Sequence, residues 1–477
     1  MRFLLLLALP GCAQTLPAGA DEELRTAAAE VDRIEAATLA GLDSTTRDEY
    51  GRMVTLGKLL LYDKELSVNR NEACALCHMP ETGYTGPSET LNRTTVSYPG
   101  SDRARFSQRK PQSYNYSTFS PVLHYNELQG DFVGGNFWDM RATGLHLQSP
   151  AAEQAQGPPT NPVEMGLPDI ACVVYRISRR PYRPLFERTW GAQAFVIQWP
   201  ADVEKVCSTP APPPSPNPVR LSAADRGRAM TTYDQMALSI AAHEGSTEVS
   251  PFNSKYDFVQ AGKAKFTVQE KSGYDLFRGK ARCNECHRDG GPGEEPLFTD
   301  FTASNLGVPR NAAVAFYGES KPDPSGYAAN PAGASYVDPG VGGFLQKSPE
   351  LSGKINPNDL WGRYAQKFIG KFQVPTLRDV DQRPRPDFVK AYMHNGYFKS
   401  LKEVVHFYNT RDTLRRCTQG DPGEKTTCWP APEDARNLNR KQLGNLGLTP
   451  QEEDAIVAFL KTLTDQYKPA TSTGGDR

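Results

Sequence analysis

Two five-residue strings constrain this chain more than any other feature: Cys74-Ala75-Leu76-Cys77-His78 and Cys283-Asn284-Glu285-Cys286-His287. Both read C-x-x-C-H, the attachment signature of a c-type haem. Two thiols three positions apart can each form a thioether to one porphyrin edge, and the adjoining histidine then lies beneath the iron as its proximal ligand. The competing reading, half of a zinc site, needs further Cys or His close to each pair, and the sequence has none there. The pattern calls for two covalently bound haems, with His78 and His287 as iron ligands, in a chain that must bury both.

The length of 477 residues is enough for two or three domains with sizeable cores. A formal charge of -1, from 54 Lys+Arg against 55 Asp+Glu, leaves no footprint for nucleic acid. With 39 Pro and 40 Gly, long connecting loops are expected. Met1-Arg2 followed by Phe3 to Leu9 reads as an export signal, too short to span a bilayer. Two cleavage readings compete. Leu9-Pro10-Gly11-Cys12 resembles a lipoprotein box that would leave Cys12 lipidated, whereas Ala18-Gly19-Ala20 before Asp21 fits an ordinary cut. Residues 1–20 are thus read as the signal, and the mature protein as periplasmic, free or anchored through lipid on Cys12. No later segment is long and apolar enough for a membrane helix. Of nine cysteines, four belong to the haem strings and Cys12 to the signal region. The remaining Cys172, Cys207, Cys417 and Cys428 can pair in an oxidising compartment, most simply Cys172 with Cys207 and Cys417 with Cys428. Sequence leaves that connectivity open, buried free thiols being the alternative.

Ser208 to Pro218 is a Pro-rich linker or surface excursion. A boundary near residues 245–255 leaves one haem string in each half, 21–250 and 251–470. Helical signals dominate. Ser400-Leu401-Lys402-Glu403 is a capping box, and Leu401, Val404, Val405 and Tyr408 recur on one face behind it. Thr449-Pro450-Gln451-Glu452 opens another helix with Pro at its first position, and Ile456, Phe459, Leu460 and Leu463 form its buried stripe. Thr267-Val268-Gln269-Glu270 opens a third, ahead of the second haem string. Alternating β runs are scarce. The fold expected is mostly α, two cytochrome-c-like haem domains with long connecting loops.

A haem iron either has a sixth ligand or keeps an open face, and that choice separates electron carriage from catalysis. From Met79 to Leu123 there is no His, and the only Met is Met79 itself; His124 and His146 follow in loop-like sequence. This favours an open iron in haem 1 that can bind peroxide, the alternative being ligation by a distant His or Met. After His287 the strong donors are Met393, His394 and His406. Tyr408 lies on the apolar helix face, whereas His406, five positions beyond Leu401, points off it. If that helix packs on haem 2, Tyr408 is favoured as ligand. Its phenolate is a hard donor that stabilises oxidised iron, unlike a thioether.

The chain resembles the bacterial dihaem cytochrome c peroxidase and MauG superfamily. The resemblance rests on LGKLLLYDKELSVNRNEACALCH (Leu56 to His78), FWDMRA (Phe137 to Ala142) and EQAQGPPTNPVEMG (Glu153 to Gly166), then on FQVPTLRDV (Phe372 to Val380), YMHNGYFKSLKEVVHFYN (Tyr392 to Asn409) and the closing helix. It implies that Glu164 is the distal acid/base over haem 1, Gln154 the distal amide, and Trp138 the tryptophan between the haems. A positioned carboxylate can move a proton from one peroxide oxygen to the other. No His stands in the loop after the first haem string, where such peroxidases place one displaced on reduction. Tyr408 aligns where they have a ligating Met. Both departures resemble the MauG-like branch, in which oxidising equivalents pass to aromatic side chains of a partner protein. The family also implies a calcium ion between the haems, but Lys110, which cannot coordinate calcium, falls at its side-chain ligand; Val389 and Ala391 match the carbonyl donors. The stretch from Trp138 to Gln154 is longer than in the peroxidases. His394 and Asn395 mark a motif in which a hydrogen-bonded structural histidine is expected.

The sequence therefore reads as an exported oxidoreductase that reduces hydrogen peroxide at haem 1, with electrons from a small redox protein relayed through haem 2. The alternatives are a MauG-like enzyme acting on Trp or Tyr of a protein substrate, and a non-catalytic dihaem electron-transfer cytochrome.

Overall fold

Helices make up nearly all of the regular structure. A computed structural model describes residues 16–42, 48–210, 218–291, 293–347 and 361–469. Residues 1–15 of the signal, with Cys12, and residues 211–217 of the Pro-rich insert lie outside the described residues. The principal helices are α1 (Ala20–Ala40), α2 (Glu49–Leu61), α3 (Pro150–Ala155), α4 (Ile170–Ile177), α5 (Ala223–Glu244), α6 (Val268–Arg278), α7 (Leu401–Thr410) and α8 (Pro450–Lys461). Strands are two or three residues long and pair only as isolated couples, such as His124–Asn126 antiparallel to Asp131–Val133. Among the described residues no helix is long and apolar enough to cross a membrane.

Local sequence sets the helix starts. Thr267 and Thr449 each form the full reciprocal box, with Glu270 and Glu452 returning to the cap nitrogen. The Ser400 box forms only by half. Ser400 Oγ accepts from Glu403 N at 3.1 Å, but the Glu403 carboxylate accepts from Lys399 N at 2.7 Å instead of from Ser400. Lys425 Nζ, 3.3 Å away, holds that carboxylate on its outer side.

The same packing device occurs twice. α2, ahead of the first haem string, crosses α5; α6, ahead of the second, crosses α8. Each crossing has a glycine at the point of closest approach. A Cβ on Gly57 would collide with the Ser239 carbonyl oxygen of α5, and one on Gly273 with the Ala455 carbonyl oxygen of α8. Backbone meets backbone there, so no rotamer change could relieve an added methyl. Around these crossings lie two large buried apolar clusters. One runs in sequence from Ala27 to Val249 and includes Leu59, Leu76, Phe186 and Met236. The other runs from Tyr256 to Leu463 and includes Phe277, Phe298, Phe407 and Phe459. The predicted stripe of α8 is buried throughout.

The four remaining cysteines pair as the simplest reading has it. Cys172 of α4 bonds Cys207, and Cys417 bonds Cys428. The first link closes a 35-residue separation. A loop of that length restrains the unfolded chain by roughly 4 kcal/mol in the chain-entropy picture.

The crossings predict opposite signs for two similar substitutions. Gly273→Ala should lower stability by about 1–3 kcal/mol or more, because the methyl meets fixed backbone. Gly227→Ala, in α5 with nothing near the added methyl, should raise it by up to about 1 kcal/mol through helix propensity. Denaturant unfolding of both variants checks this; the same sign for both would contradict the close approach at Gly273.

Two candidate haem cavities and the wall between them

The first haem string forms one helical turn, Cys74–Cys77, and His78 ends it. These residues open onto a cavity of about 530 Å³, the size range of cofactor sites. Cys74 and Cys77 are unpaired thiols. His78 Nδ1 donates to the Tyr84 carbonyl at 3.0 Å. That bond fixes the tautomer and leaves Nε2 with its lone pair, as an iron ligand requires. Burial holds the imidazole neutral, with its pKa down to about 4.

Glu164 and Gln154 line the same cavity. Gln154 is carried on α3. Glu164 is carried on a tight turn made by the NPVEMG string: Asn161 O accepts from Glu164 N at 3.0 Å and from Gly166 N at 3.0 Å. Gly166, at φ 71, allows the chain to leave that turn. Ser101 N donates to Glu164 O at 2.6 Å, so the turn is fixed against the neighbouring loop. The carboxylate itself accepts from Asn161 Nδ2 at 2.8 Å. Burial raises its pKa, opposed by the charge of Arg141 and by the Asn161 bond.

His124 and His146 do not line this cavity. His124 is exposed in the first short strand, not in a loop as the sequence suggested, and its Nδ1 meets the Val122 carbonyl at 2.9 Å. The strand forms because Tyr125 pairs across to Phe132. His146 is exposed beside Asp234 at 3.2 Å. Met165 does line the cavity, with its sulfur 4.0 Å from Cys74 Sγ.

The second string opens onto a narrower cavity of about 190 Å³, lined by Cys283, Cys286 and His287. His287 Nδ1 donates to the Phe298 carbonyl at 2.9 Å, repeating the arrangement at His78. Tyr84 and Phe298, which supply the two carbonyls, both have left-handed backbone at φ 56 and φ 54. Bulky residues rarely adopt that conformation. The face of α7 predicted from sequence, Leu401, Val404, Val405 and Tyr408, lines this cavity with Ile456 and Leu460 of α8. The Tyr408 hydroxyl has no hydrogen-bond partner among the described residues. His406 is turned away: Nδ1 meets Glu453 at 2.9 Å and Nε2 the Thr426 carbonyl at 3.0 Å. His394 and Met393 also line the cavity. His394 is not the hydrogen-bonded structural histidine expected. Its ring stacks on Phe372 at 3.6 Å, and its nitrogens have no partner among the described residues.

Trp138 lines both cavities, as do Gln373, Val374, Thr376 and Met393. Its Nε1 donates to the Lys110 carbonyl at 3.0 Å, and Gln373 N donates to its own carbonyl at 2.9 Å. The FWD turn that presents it puts Phe137 and Met140 at φ 69 and φ 60. The calcium that the family implies, already put in doubt by Lys110, does not fit here. The Lys110 side chain holds the ligand position, and the Val389 carbonyl already accepts from Asn92 Nδ2 at 3.2 Å.

Two carboxyls at the first cavity carried no signal in sequence. Glu72 stands just before the haem string, paired to Arg103 at 2.7 Å, and burial pushes it up to about 7. Glu244 ends α5 and is pushed up to about 8 by burial, with Ser117 Oγ donating to it at 3.2 Å. A glutamate at a helix end reads as solvated surface unless the fold is known.

Comparison with known proteins identifies the family. A family described as di-haem cytochrome c peroxidase matches residues 51–265. The methylamine utilization protein MauG of Paracoccus denitrificans is 33% identical over 435 residues, 90% of this chain and 93% of that protein. The cytochrome-c peroxidase IdrP1 of Denitromonas iodatirespirans is 28% identical over 417 residues, 86% of this chain and 81% of its own length. In fold the chain is similar to the diheme peroxidase BthA of Burkholderia thailandensis, with a TM-score of 0.62 at 24% identity, covering 87% of this chain and 86% of that one. The chain belongs to the dihaem cytochrome c peroxidase family and binds two c-type haems covalently.

Proposed function

We propose that this is a periplasmic peroxidase that reduces hydrogen peroxide in the first cavity, with electrons from a small redox protein arriving through the second. The observation that carries the proposal is that Glu164 and Gln154 line the same cavity as His78, while His124 and His146 stay outside it. Residues 21–250 then form the peroxidatic half and 251–470 the electron-transfer half, each around one of the two apolar clusters. Two disulfides and covalent haem suit an oxidising compartment. Export either frees the protein or leaves it anchored through lipid on Cys12.

Reduction of one peroxide to two waters takes two electrons and two protons. The bound haem supplies the redox-active iron, and the side chains supply the rest. Glu164 takes a proton from one peroxide oxygen and returns it to the other, which makes the departing oxygen a water rather than hydroxide. Asn161 keeps its carboxylate aimed, and the raised pKa brings it nearer to balanced proton exchange. Gln154 hydrogen-bonds and orients the substrate. His78 holds its ring orientation through the Tyr84 carbonyl, which raises its donor strength. Trp138, common to both walls, carries electrons between the cavities. Tyr408, with an unpartnered hydroxyl on the apolar α7 face of the second cavity, would hold the second iron together with His287.

Tyr408 also favours a second reading. A phenolate where a thioether would raise the potential suits an oxidising role, in which Trp or Tyr of a partner protein gives up electrons in place of a redox carrier.

Glu164→Gln should cut peroxide turnover by about 10²–10⁴-fold with both haems still attached; unchanged turnover removes its role. Because the ionised form accepts the proton, turnover should fall as pH drops through the raised pKa of Glu164, at a pH above the ordinary glutamate value of about 4.3. A pH profile of kcat/KM shows this acid limb in the parent and not in Glu164→Gln. Tyr408→Phe should alter the absorption bands of one haem and leave the other's in place; an unaltered spectrum shows that another residue caps that iron.

A further inference from the structure

The wall between the cavities is tied together by one lysine. Lys110 Nζ donates to Thr85 Oγ1 at 2.6 Å and to the Pro111 carbonyl at 2.9 Å. Thr85 Oγ1 donates in turn to the same Pro111 carbonyl at 2.6 Å. Thr85 belongs to the loop whose Tyr84 carbonyl fixes His78. The main chain of Lys110 reaches the other way: its carbonyl accepts from Trp138 Nε1 at 3.0 Å, and its N–H donates to the His394 carbonyl at 2.8 Å. One residue thus joins the first haem loop, the shared tryptophan and a residue of the second cavity.

A calcium ion would perform this bridging with six to eight oxygens, carboxylates usually among them. Lys110 brings an amino group and no side-chain oxygen. Of the matching carbonyls, that of Val389 is engaged by Asn92 Nδ2. Lys390 follows directly, with Nζ on the Asp379 carbonyl at 3.3 Å, and Lys399 Nζ donates to the Asn92 carbonyl at 2.6 Å. Burial and the charges of Lys390 and Lys399 pull the Lys110 pKa down to about 7. Surroundings that disfavour a single positive charge disfavour a doubly charged ion more.

We propose that the Lys110 side chain replaces the interhaem calcium of the family: its amino group ties the first haem loop, through Thr85, to the segment whose main chain holds Trp138 and His394, and the protein binds no divalent ion there. The proposal is independent of the reaction the haems perform. The test uses the full holoprotein, dialysed first against calcium-free buffer and then against EGTA or calcium chloride. Calcium content, the haem absorption spectrum and the thermal midpoint are recorded after each step. The expected result is well under one calcium per chain, with spectrum and midpoint indifferent to EGTA and to added calcium. One calcium per chain, lost to EGTA with a change in the spectrum, overturns it. Lys110→Met, which keeps the chain length and loses the donors, should lower the midpoint and shift the haem bands, with no recovery on adding calcium. A variant with the parent's midpoint and spectrum overturns the bridging role. If Lys110→Met does not fold, the calcium analysis of the parent decides alone.

Discussion

Two hydrogen bonds to backbone carbonyls set up everything the protein can do with iron. Each candidate proximal histidine donates Nδ1–H to a carbonyl, His78 to Tyr84 and His287 to Phe298. The bonds select the tautomer that leaves Nε2 free. The acceptors lie six and eleven residues away and share a left-handed backbone that a bulky side chain rarely adopts. The fold maintains a costly conformation at both sites, and both serve to aim a carbonyl at an imidazole. The glycine crossings behind them, at Gly57 and Gly273, anchor the helices that lead into each string.

On this repeated frame the cavities are dressed differently. The first has carboxyls at its wall, Glu164, Glu72 and Glu244, all raised above the usual range by burial. It can move protons. The second is walled on one side by the apolar faces of α7 and α8 with Tyr408 among them, and its carboxyls, Asp338, Glu433 and Asp434, stand on other segments. Trp138 and the Gln373–Val374 strand end belong to both. The difference between the sites lies in what surrounds the iron, not in how it is attached.

Much of this was legible in the chain. C-x-x-C-H spacing is a covalent constraint, so it reads without a fold. The capping boxes of α6 and α8 are local hydrogen-bond patterns, and the face of α7 follows from helical periodicity. What could not be read depends on long-range neighbours. The Ser400 box formed by half because the Glu403 carboxylate turns to Lys399 N, with Lys425 beside it at 3.3 Å. His394 turned out stacked on Phe372, a partner 22 positions earlier by number, rather than hydrogen-bonded. Glu72 and Glu244 look like surface acids until α2, α5 and the haem loop enclose them. Lys110 announced that a metal was out of place, but only the geometry revealed its own amino group at work there.

The central claim is that one haem keeps an open face above His78 while the other is capped on both sides. Low-temperature electron paramagnetic resonance of the ferric holoprotein tests it most directly. The account requires one high-spin and one low-spin signal in equal amounts. Two low-spin signals of equal intensity would mean that a protein atom closes both irons, and would leave the carboxylate of Glu164 without a substrate to act on.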